Sequence, residues 1–118
     1  MNNPLKRIAI LNRGEPAMRF IRALNETNLE QGSDLRSIVF YTHEDEHAPF
    51  TGQASESYPI GAAMRSSAEG KMVSAYCDHE FLLDLLKEHN CDAVWPGWGF
   101  ISEDPMFVAK LEENDITF

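Results

Sequence analysis

Short apolar runs alternate with amphipathic stretches along this chain, and the alternation predicts its secondary structure. Residues 7–11 (RIAIL) form a largely apolar run that is typical of a buried strand in a parallel sheet. Residues 15–26 place apolar side chains at i, i+3, i+4 and i+7, which predicts a helix with one buried face. Residues 37–42 (SIVFYT) are β-branched and aromatic and predict a second strand. Such a strand–helix–strand unit predicts parallel strands joined by a right-handed crossover.

The second half of the chain repeats this alternation. Asp78 is suited to cap a helix whose apolar stripe extends to His89, and Asn90 suits the C-terminal cap of that helix. Residues 93–95 predict a third strand, which Pro96 ends because proline lacks the amide donor that a ladder needs.

A last helix is predicted with Ser102 as its candidate N-cap and Pro105 in its first turn, and Asn114 ends it. Residues 116–118 have the composition of a strand that is just beginning, which suggests that the sequence is a fragment of a longer chain. The whole pattern predicts an α/β fold, a Rossmann-like parallel sheet flanked by helices, in one domain over residues 1–118.

The segments between these elements carry weaker signals. Residues 28–35 are polar and predict a connection. Residues 57–60 predict a short strand that ends at Gly61. Residues 62–74 show no clear period, which predicts a loop.

Composition narrows the classes of function. The hydrophobic content of 43% is sufficient for a packed core in a chain of 118 residues. The formal net charge of −9 argues against a nucleic-acid partner, because an acidic surface repels phosphate. The sequence has no apolar run long enough for a membrane span or a secretory signal. Its cysteines show no disulfide framework, so we expect a cytoplasmic protein in which Cys91 is an inert core thiol.

One segment matches a zinc-binding pattern letter for letter. Residues 43–47 (HEDEH) have the HExxH spacing, in which two histidines one helical turn apart hold zinc. Here the segment directly follows a predicted strand, Pro49 comes two residues later, and no amphipathic helix surrounds it. The sequence therefore predicts a solvated acidic loop and no metal site.

The turn after the first predicted strand lacks the features of a phosphate site. Residues 12–16 (NRGEP) contain one glycine, Gly14, where a dinucleotide fold has GxGxxG. Gly14 is expected to serve the backbone of a tight turn. No P-loop and no credible catalytic triad occur in the sequence, so no catalytic residue is predicted within the chain.

The turn after the third predicted strand is the candidate binding segment. Residues 96–100 (PGWGF) combine two glycines that permit close backbone approach with the rings of Trp98 and Phe100. These residues favour equally a ligand pocket at a strand end and a structural turn with its rings in the core. Glu103 falls in the first turn of a predicted helix, where the positive end of the helix dipole is by itself a sufficient reason for an acidic residue.

Two motifs at the ends of the chain resemble the biotin carboxylases, the ATP-dependent subunits or domains of acetyl-, propionyl- and pyruvate-type carboxylases. Residues 6–24 (KRIAILNRGEPAMRFIRAL) resemble the family's opening strand, Asn-Arg-Gly-Glu turn and Arg-bearing helix. Residues 92–104 (DAVWPGWGFISED) resemble its His-Pro-Gly-Tyr-Gly-Phe-Leu-Ser-Glu-Asn segment, with Trp95 and Trp98 in place of the His and Tyr. A weaker resemblance covers most of the chain between these motifs.

The resemblance implies the pre-ATP-grasp domain of an enzyme that makes carboxyphosphate from bicarbonate and MgATP and then carboxylates biotin on a carrier domain. It implies that the ATP-grasp and C-terminal domains, outside this chain, bind MgATP and carry the catalytic groups. The family's Gly-aromatic-Gly-Phe loop forms one wall of the biotin site. By resemblance, Trp98, Gly99 and Phe100 therefore bind biotin, with Glu103 in support.

The resemblance also implies a contact between two copies of the enzyme. The first helix contributes to the dimer interface in many bacterial members, which assigns Arg22 and Glu26 to that interface. These two residues are also spaced as an i, i+4 ion pair. The resemblance leaves open the acceptor, which is an acyl-CoA, pyruvate or another molecule.

Two alternatives share the predicted fold. One is a non-catalytic Rossmann-like binding module, which the missing phosphate loop and the unfinished strand at the C-terminus disfavour. The other is the front domain of another ATP-grasp ligase, such as a carbamoyl phosphate synthetase-like enzyme. The turn of Asn12, Arg13, Gly14 and Glu15 favours the biotin carboxylases over that ligase.

Overall fold

Strands and helices alternate through most of the described chain, as the sequence predicts, but three short strands follow one another in its middle. The computed structural model describes residues 6–62, 64–66, 70, 72–74, 78–96 and 105–118. The elements in chain order are β1 (Arg7–Ile10), α1 (Gly14–Gln31), β2 (Arg36–Tyr41), α2 (Pro49–Gln53), β3 (Glu56–Pro59), β4 (Met64–Ser66), β5 (Met72–Ser74), α3 (His79–Glu88), β6 (Ala93–Trp95) and α4 (Pro105–Glu113). A 3₁₀ turn at His43–Asp45 follows β2.

The central sheet is parallel and has the strand order β3-β2-β1-β6. In its register, Ile10 of β1 lies opposite Val39 of β2 and Trp95 of β6. Thr117 adds an isolated parallel bridge to Ala93, at the place where the sequence predicts that a strand begins. The predicted α/β fold with a parallel sheet is confirmed.

Both faces of this sheet are covered by helices. Alternate side chains of a strand point to opposite faces, so Ile38 and Phe40 of β2 lie on one face and Val39 on the other. The first face packs against α3 and α4, and the second packs against α1 and α2. The fully buried side chains with the largest volumes include Phe40, Phe50, Phe107, Ile10, Ile21, Ile38, Leu82, Leu86 and Leu111.

Helix α1 is longer than predicted, because residues 28–31 belong to the helix and not to the connection. Gly32 ends the helix in the left-handed conformation, with φ 65° and its amide bonded to the carbonyl of Asn28. The Asn28 side chain then binds the backbone of Leu35 at both its N–H and C=O, which fixes the turn into β2. The polar residues of this segment lie on the solvent side of the helix and not in a loop.

The middle of the chain is more ordered than predicted. The expectation of a loop is wrong for residues 64–66 and 72–74, because β4 and β5 form an antiparallel pair in which Met64 lies opposite Ser74. Helix α2 precedes them, and its Phe50 is fully buried beneath the sheet. These short elements carry few periodic positions, and no clear apolar pattern marks them in the sequence.

The predicted ends of the later helices are confirmed where the structure describes them. Asp78 caps α3, its carboxylate accepting the amide of Phe81 at 3.3 Å. Asn90 follows the helix with φ 56°, a conformation that asparagine tolerates well. Pro105 is the first described residue of α4, and the candidate N-cap Ser102 lies outside the described residues.

Charged side chains tie the strands together at the amino edge of the sheet. The guanidinium of Arg7 in β1 binds the carboxylate of Glu56 in β3 through two bonds, at 2.5 and 3.0 Å. The hydroxyl of Tyr58 also donates to Glu56, and its ring stacks on His89 with centroids 3.9 Å apart. The bonds from Arg7 and Tyr58 lower the pKa of Glu56 to about 2.

We expect Glu56→Gln to lower the free energy of unfolding by about 1–2 kcal/mol near pH 7, because Arg7 loses its charged acceptor. The folded pKa lies below the unfolded value of 4.5, so this contribution is complete above pH 4.5 and is lost as the pH falls towards 2. Urea unfolding at a series of pH values should show the difference between wild type and variant closing over that window. Glu30→Gln, at an exposed carboxylate, is the control; an equal response of both variants would contradict the assignment.

Candidate functional site

The candidate site lies at the carboxyl edge of the sheet, between β1 and β6. The chain runs from β1 to β2 and β3 on one side of the sheet, while β6 returns to the other side of β1. The strand order therefore reverses between β1 and β6. In open α/β sheets, ligands bind in the crevice that such a reversal leaves outside the carboxyl ends of the strands. Both motifs singled out in the sequence, at residues 12–16 and 96–100, follow these two strands.

Asn12 joins the two sides of this crevice. Its side-chain Nδ2 donates to the backbone carbonyl of Pro96 at 2.9 Å, and its Oδ1 accepts the amide of Arg13 at 2.8 Å. The amide of Leu11 donates to the carbonyl of Trp95 at 3.0 Å, which extends the pairing of β1 with β6. Asn12 was not predicted as a functional residue, since its partner lies 84 residues away in sequence.

Arg13 joins β1 to the segment after β2. Its guanidinium binds Asp45 with two bonds, from Nε to Oδ2 at 2.5 Å and from Nη2 to Oδ1. Asp45 is only 5% exposed, so the prediction of a solvated acidic loop is wrong for this residue. The buried carboxylate is stabilised by its bidentate partner, whose planar fork matches it. His43 and His47 on either side are exposed.

Helix α1 begins immediately after this arginine, as the turn motif predicts. Gly14 adopts φ 65°, a left-handed conformation that side chains with a Cβ rarely adopt, which confirms its role in the turn. Glu15 follows in the first turn of the helix, near its positive end. Its carboxylate lies 3.4 Å from the guanidinium of Arg19 and 3.9 Å from that of Arg22.

A cleft of about 320 Å³ opens beside the start of α1 and the end of β6. Trp95, half-buried, forms an apolar wall of the cleft and stacks on Phe20 with ring centroids 4.5 Å apart. Glu15, Pro16 and Arg19 complete the described lining. An apolar wall with a few charged groups in a volume of this size is typical of small-molecule sites.

The four residues assigned to biotin by resemblance, Trp98, Gly99, Phe100 and Glu103, lie outside the described residues. The structure describes both flanks of their segment, Pro96 on one side and Pro105 on the other. Pro96 belongs to the carboxyl edge just described, so the segment starts at the crevice where the strand order reverses.

Arg22 and Glu26, assigned to a dimer interface, are both exposed on α1. The predicted i, i+4 pair between them is wrong: within the described residues, the ion pair of Arg22 is with Glu15. Glu15 also forms an ion pair with Arg19, so both arginines interact with the same carboxylate at the start of the helix. This arrangement leaves Glu26 on the solvent side, one helical turn further along.

The described residues give no support to metal or thiol chemistry. Among them, no cluster of three His, Cys, Asp or Glu side chains is placed to hold a metal ion. Cys91 is buried beneath the sheet, and burial raises the pKa of its thiol to about 12, as expected for an inert core cysteine.

Within the described part of the chain, no helix is both long and apolar enough to span a bilayer.

Comparisons with known proteins point to one family. The model of the family described as "Biotin carboxylase, N-terminal domain" matches residues 4–118. The pyruvate carboxylase of Bacillus subtilis is 35% identical over 115 residues, which cover 97% of this chain and 9% of that protein. Biotin carboxylase 2 of the same organism is 30% identical over 112 residues, covering 95% of this chain and 22% of the relative. The chain thus spans less than a quarter of the length of either relative.

Solved structures show the same similarity. The biotin carboxylase domain of the Hydrogenobacter thermophilus 2-oxoglutarate carboxylase, a dimer in complex with MgADP, ADP and bicarbonate, superposes with a TM-score of 0.79 at 30% identity. That superposition covers 99% of this chain and 23% of the other. The pyruvate carboxylase of Rhizobium etli gives a TM-score of 0.78 at 27% identity, covering 98% of this chain and 11% of its own.

Proposed function

The chain belongs to the family of biotin carboxylase N-terminal domains, and we propose that it forms one wall of the biotin site in a larger ATP-dependent carboxylase. In that enzyme, bicarbonate and MgATP yield carboxyphosphate, which carboxylates biotin. The ATP-grasp and C-terminal domains hold MgATP and the catalytic groups, while this pre-ATP-grasp domain, residues 1–118, helps to bind and orient biotin.

The observation that carries this proposal is the origin of the glycine-rich segment at the carboxyl end of β6, next to the reversal of strand order. We assign Trp98, Gly99 and Phe100 to the contact with biotin, and Glu103 to a supporting position. Glycine lets backbone amides approach the flat ureido ring, whose oxygen becomes more negative as carboxylation proceeds. The aromatic rings exclude water from it. The nearby wall of Trp95 suits an apolar ring system.

The proposed partners follow from the same assignment. The carrier domain that bears biotin must reach the carboxyl edge of the sheet, and the remaining domains of the enzyme must face the same crevice. We propose a homodimer in which exposed Arg22 and Glu26 of α1 meet a second copy, since one related domain has been solved as a dimer. We further propose that the protein is cytoplasmic.

The acceptor is assigned to other parts of the enzyme. Similar proteins include pyruvate carboxylases and a 2-oxoglutarate carboxylase, whose names specify different acceptors. Carboxylation of biotin is common to these enzymes, so the domain they share serves that step. An acyl-CoA acceptor is a further proposal that biotin chemistry equally allows.

We expect the native protein in its source cell to be much larger than 13.4 kDa, because the relatives extend well beyond the matched region. An antibody raised against this domain would measure that mass on a denaturing gel. The purified larger protein should then hydrolyse ATP in the presence of bicarbonate. It should also carboxylate free biotin, which the transfer of label from bicarbonate to biotin measures. A native product near 13.4 kDa would contradict the proposal and favour a non-catalytic binding module.

A further inference from the structure

Three strand ends at the carboxyl edge are linked by a continuous set of side-chain hydrogen bonds. Asn12 follows β1 and binds Pro96 after β6, while Arg13 binds Asp45 after β2. The two halves meet where the Asn12 Oδ1 accepts the Arg13 amide. These four residues are called the edge clamp below. Because β1 lies between β2 and β6, the clamp links the ends of three neighbouring strands, two of which, β1 and β6, border the crevice.

The Asp45 end of the clamp is anchored in the protein interior. Asp45 is 5% exposed, and the amide of Ala48 donates to its carbonyl at 2.9 Å. Two charge-assisted bonds fix the orientation of the Arg13 guanidinium on this carboxylate. The extended backbone of Arg13, with φ −137°, is thereby held directly before α1.

The other end of the clamp holds a single backbone carbonyl. The Pro96 nitrogen carries no hydrogen, so the residue contributes only its carbonyl to backbone hydrogen bonding. Asn12 Nδ2 donates to that carbonyl at 2.9 Å. The orientation of this peptide group sets the direction in which the chain leaves β6, towards Trp98 and Gly99 in the sequence.

We propose that Asn12 is a positioning residue for biotin: through its bond to Pro96 it aims the segment that contacts the ring, and Arg13 and Asp45 hold Asn12 in place. This inference rests on the proposed function, because it takes biotin binding by residues 98–100 as given. Asn12 itself does not touch biotin. Its effect is on the Michaelis constant for biotin and not on the formation of carboxyphosphate.

The test is Asn12→Asp in the complete carboxylase that contains this chain. The substitution keeps the size and the oxygen that accepts the Arg13 amide, and it removes the donor to Pro96. We expect the KM for free biotin to rise about fivefold or more, the size expected for one lost hydrogen bond. Bicarbonate-dependent ATP hydrolysis without biotin should change less than about twofold. Hydrogen exchange of the amides following Pro96 should become faster.

The chain offers a matched control in Asn28→Asp. The Asn28 amide also donates to a backbone carbonyl, that of Leu35, at 2.9 Å, and its oxygen accepts the Leu35 amide at 2.8 Å. Asn28→Asp therefore removes a hydrogen bond of the same kind and length as Asn12→Asp does, at the turn between α1 and β2. A general loss of stability would affect both variants, whereas the proposed role predicts a changed biotin KM for Asn12→Asp alone. If Asn12→Asp fails to fold, Asn12→Ser, too short to reach Pro96, replaces it.

The outcomes separate this inference from the proposed function. Gly99→Val, a substitution within the proposed biotin segment, serves as the reference. If it raises the biotin KM and Asn12→Asp does not, the role of Asn12 is overturned while the biotin site stands. Unchanged hydrogen exchange of the amides after Pro96 in Asn12→Asp would also overturn that role. Equal increases for Asn12→Asp and Asn28→Asp would also overturn it. If neither Gly99→Val nor Asn12→Asp alters biotin kinetics, the assignment of the biotin site itself fails, and the inference with it.

Discussion

Gly99→Val is expected to raise the KM for biotin of the complete carboxylase at least about tenfold, a loss of about 1.4 kcal/mol in binding. Gly99 lies between two aromatic residues in the sequence, in the segment that is proposed to contact biotin. A branched side chain at this position would hold the ureido ring of biotin away from the backbone amides. It would also restrict the backbone conformations open to the segment. Bicarbonate-dependent ATP hydrolysis should be retained, because the proposed function assigns the formation of carboxyphosphate to other domains. Steady-state kinetics with free biotin measure both quantities.

A second glycine provides the control for this substitution. Gly52 in α2 is exposed, and a Cβ built on it meets no atom within 4 Å. Gly52→Val should therefore leave the biotin KM unchanged while adding the same side chain. A tenfold increase for both variants would point to a general effect of valine, and no increase for Gly99→Val would contradict the assignment of the loop.

Phe40→Ala is expected to destabilise the chain by about 3–5 kcal/mol, because it removes a large ring from the centre of the sheet. Phe40 is fully buried in β2, and its ring packs against those of Tyr58 and His89 at centroid distances of 6.2 and 5.5 Å. Small domains have a total stability of only about 5–15 kcal/mol, so most of the margin would be lost. The free energy of unfolding in urea measures the effect.

Leu29→Ala is the control for that loss of apolar volume. Leu29 lies on α1 with 85% of its surface exposed, so its truncation removes little buried area. Its free energy of unfolding should stay within about 0.5 kcal/mol of the wild type. A small effect of Phe40→Ala, comparable with that of Leu29→Ala, would contradict the position of Phe40 in the core.

The elements that the sequence predicted correctly are those specified by neighbouring residues. The run at residues 7–11 and the composition of residues 37–42 marked β1 and β2, because a strand covered on both faces needs apolar side chains in nearly every position. The caps at Asp78 and Asn90 were recognisable because a cap acts within one helical turn of the chain. Alternation of such elements was sufficient to predict the α/β fold.

The candidate binding segment stays a prediction from sequence, and local patterns do not predict the contacts around its flanks. Its glycines and aromatic residues followed a predicted strand, and the resemblance to a family supplied the ligand. The short pair of β4 and β5 was missed because its strands of three residues are defined by pairing with each other. The predicted end of helix α1 comes too early because most of its last residues are polar, although Gly32 carries the signal for its true end.

The sequence by itself determined which residues form the main strands and helices, since helix period, strand composition and caps are local properties of the chain. Only the tertiary structure decided the order β3-β2-β1-β6, and with it the place where the order reverses. It also decided that Asn12 binds Pro96, 84 residues away, and that Arg13 binds the buried Asp45, 32 residues away. Such contacts depend on which strands lie next to each other in the sheet. Local patterns of polarity do not encode this tertiary arrangement.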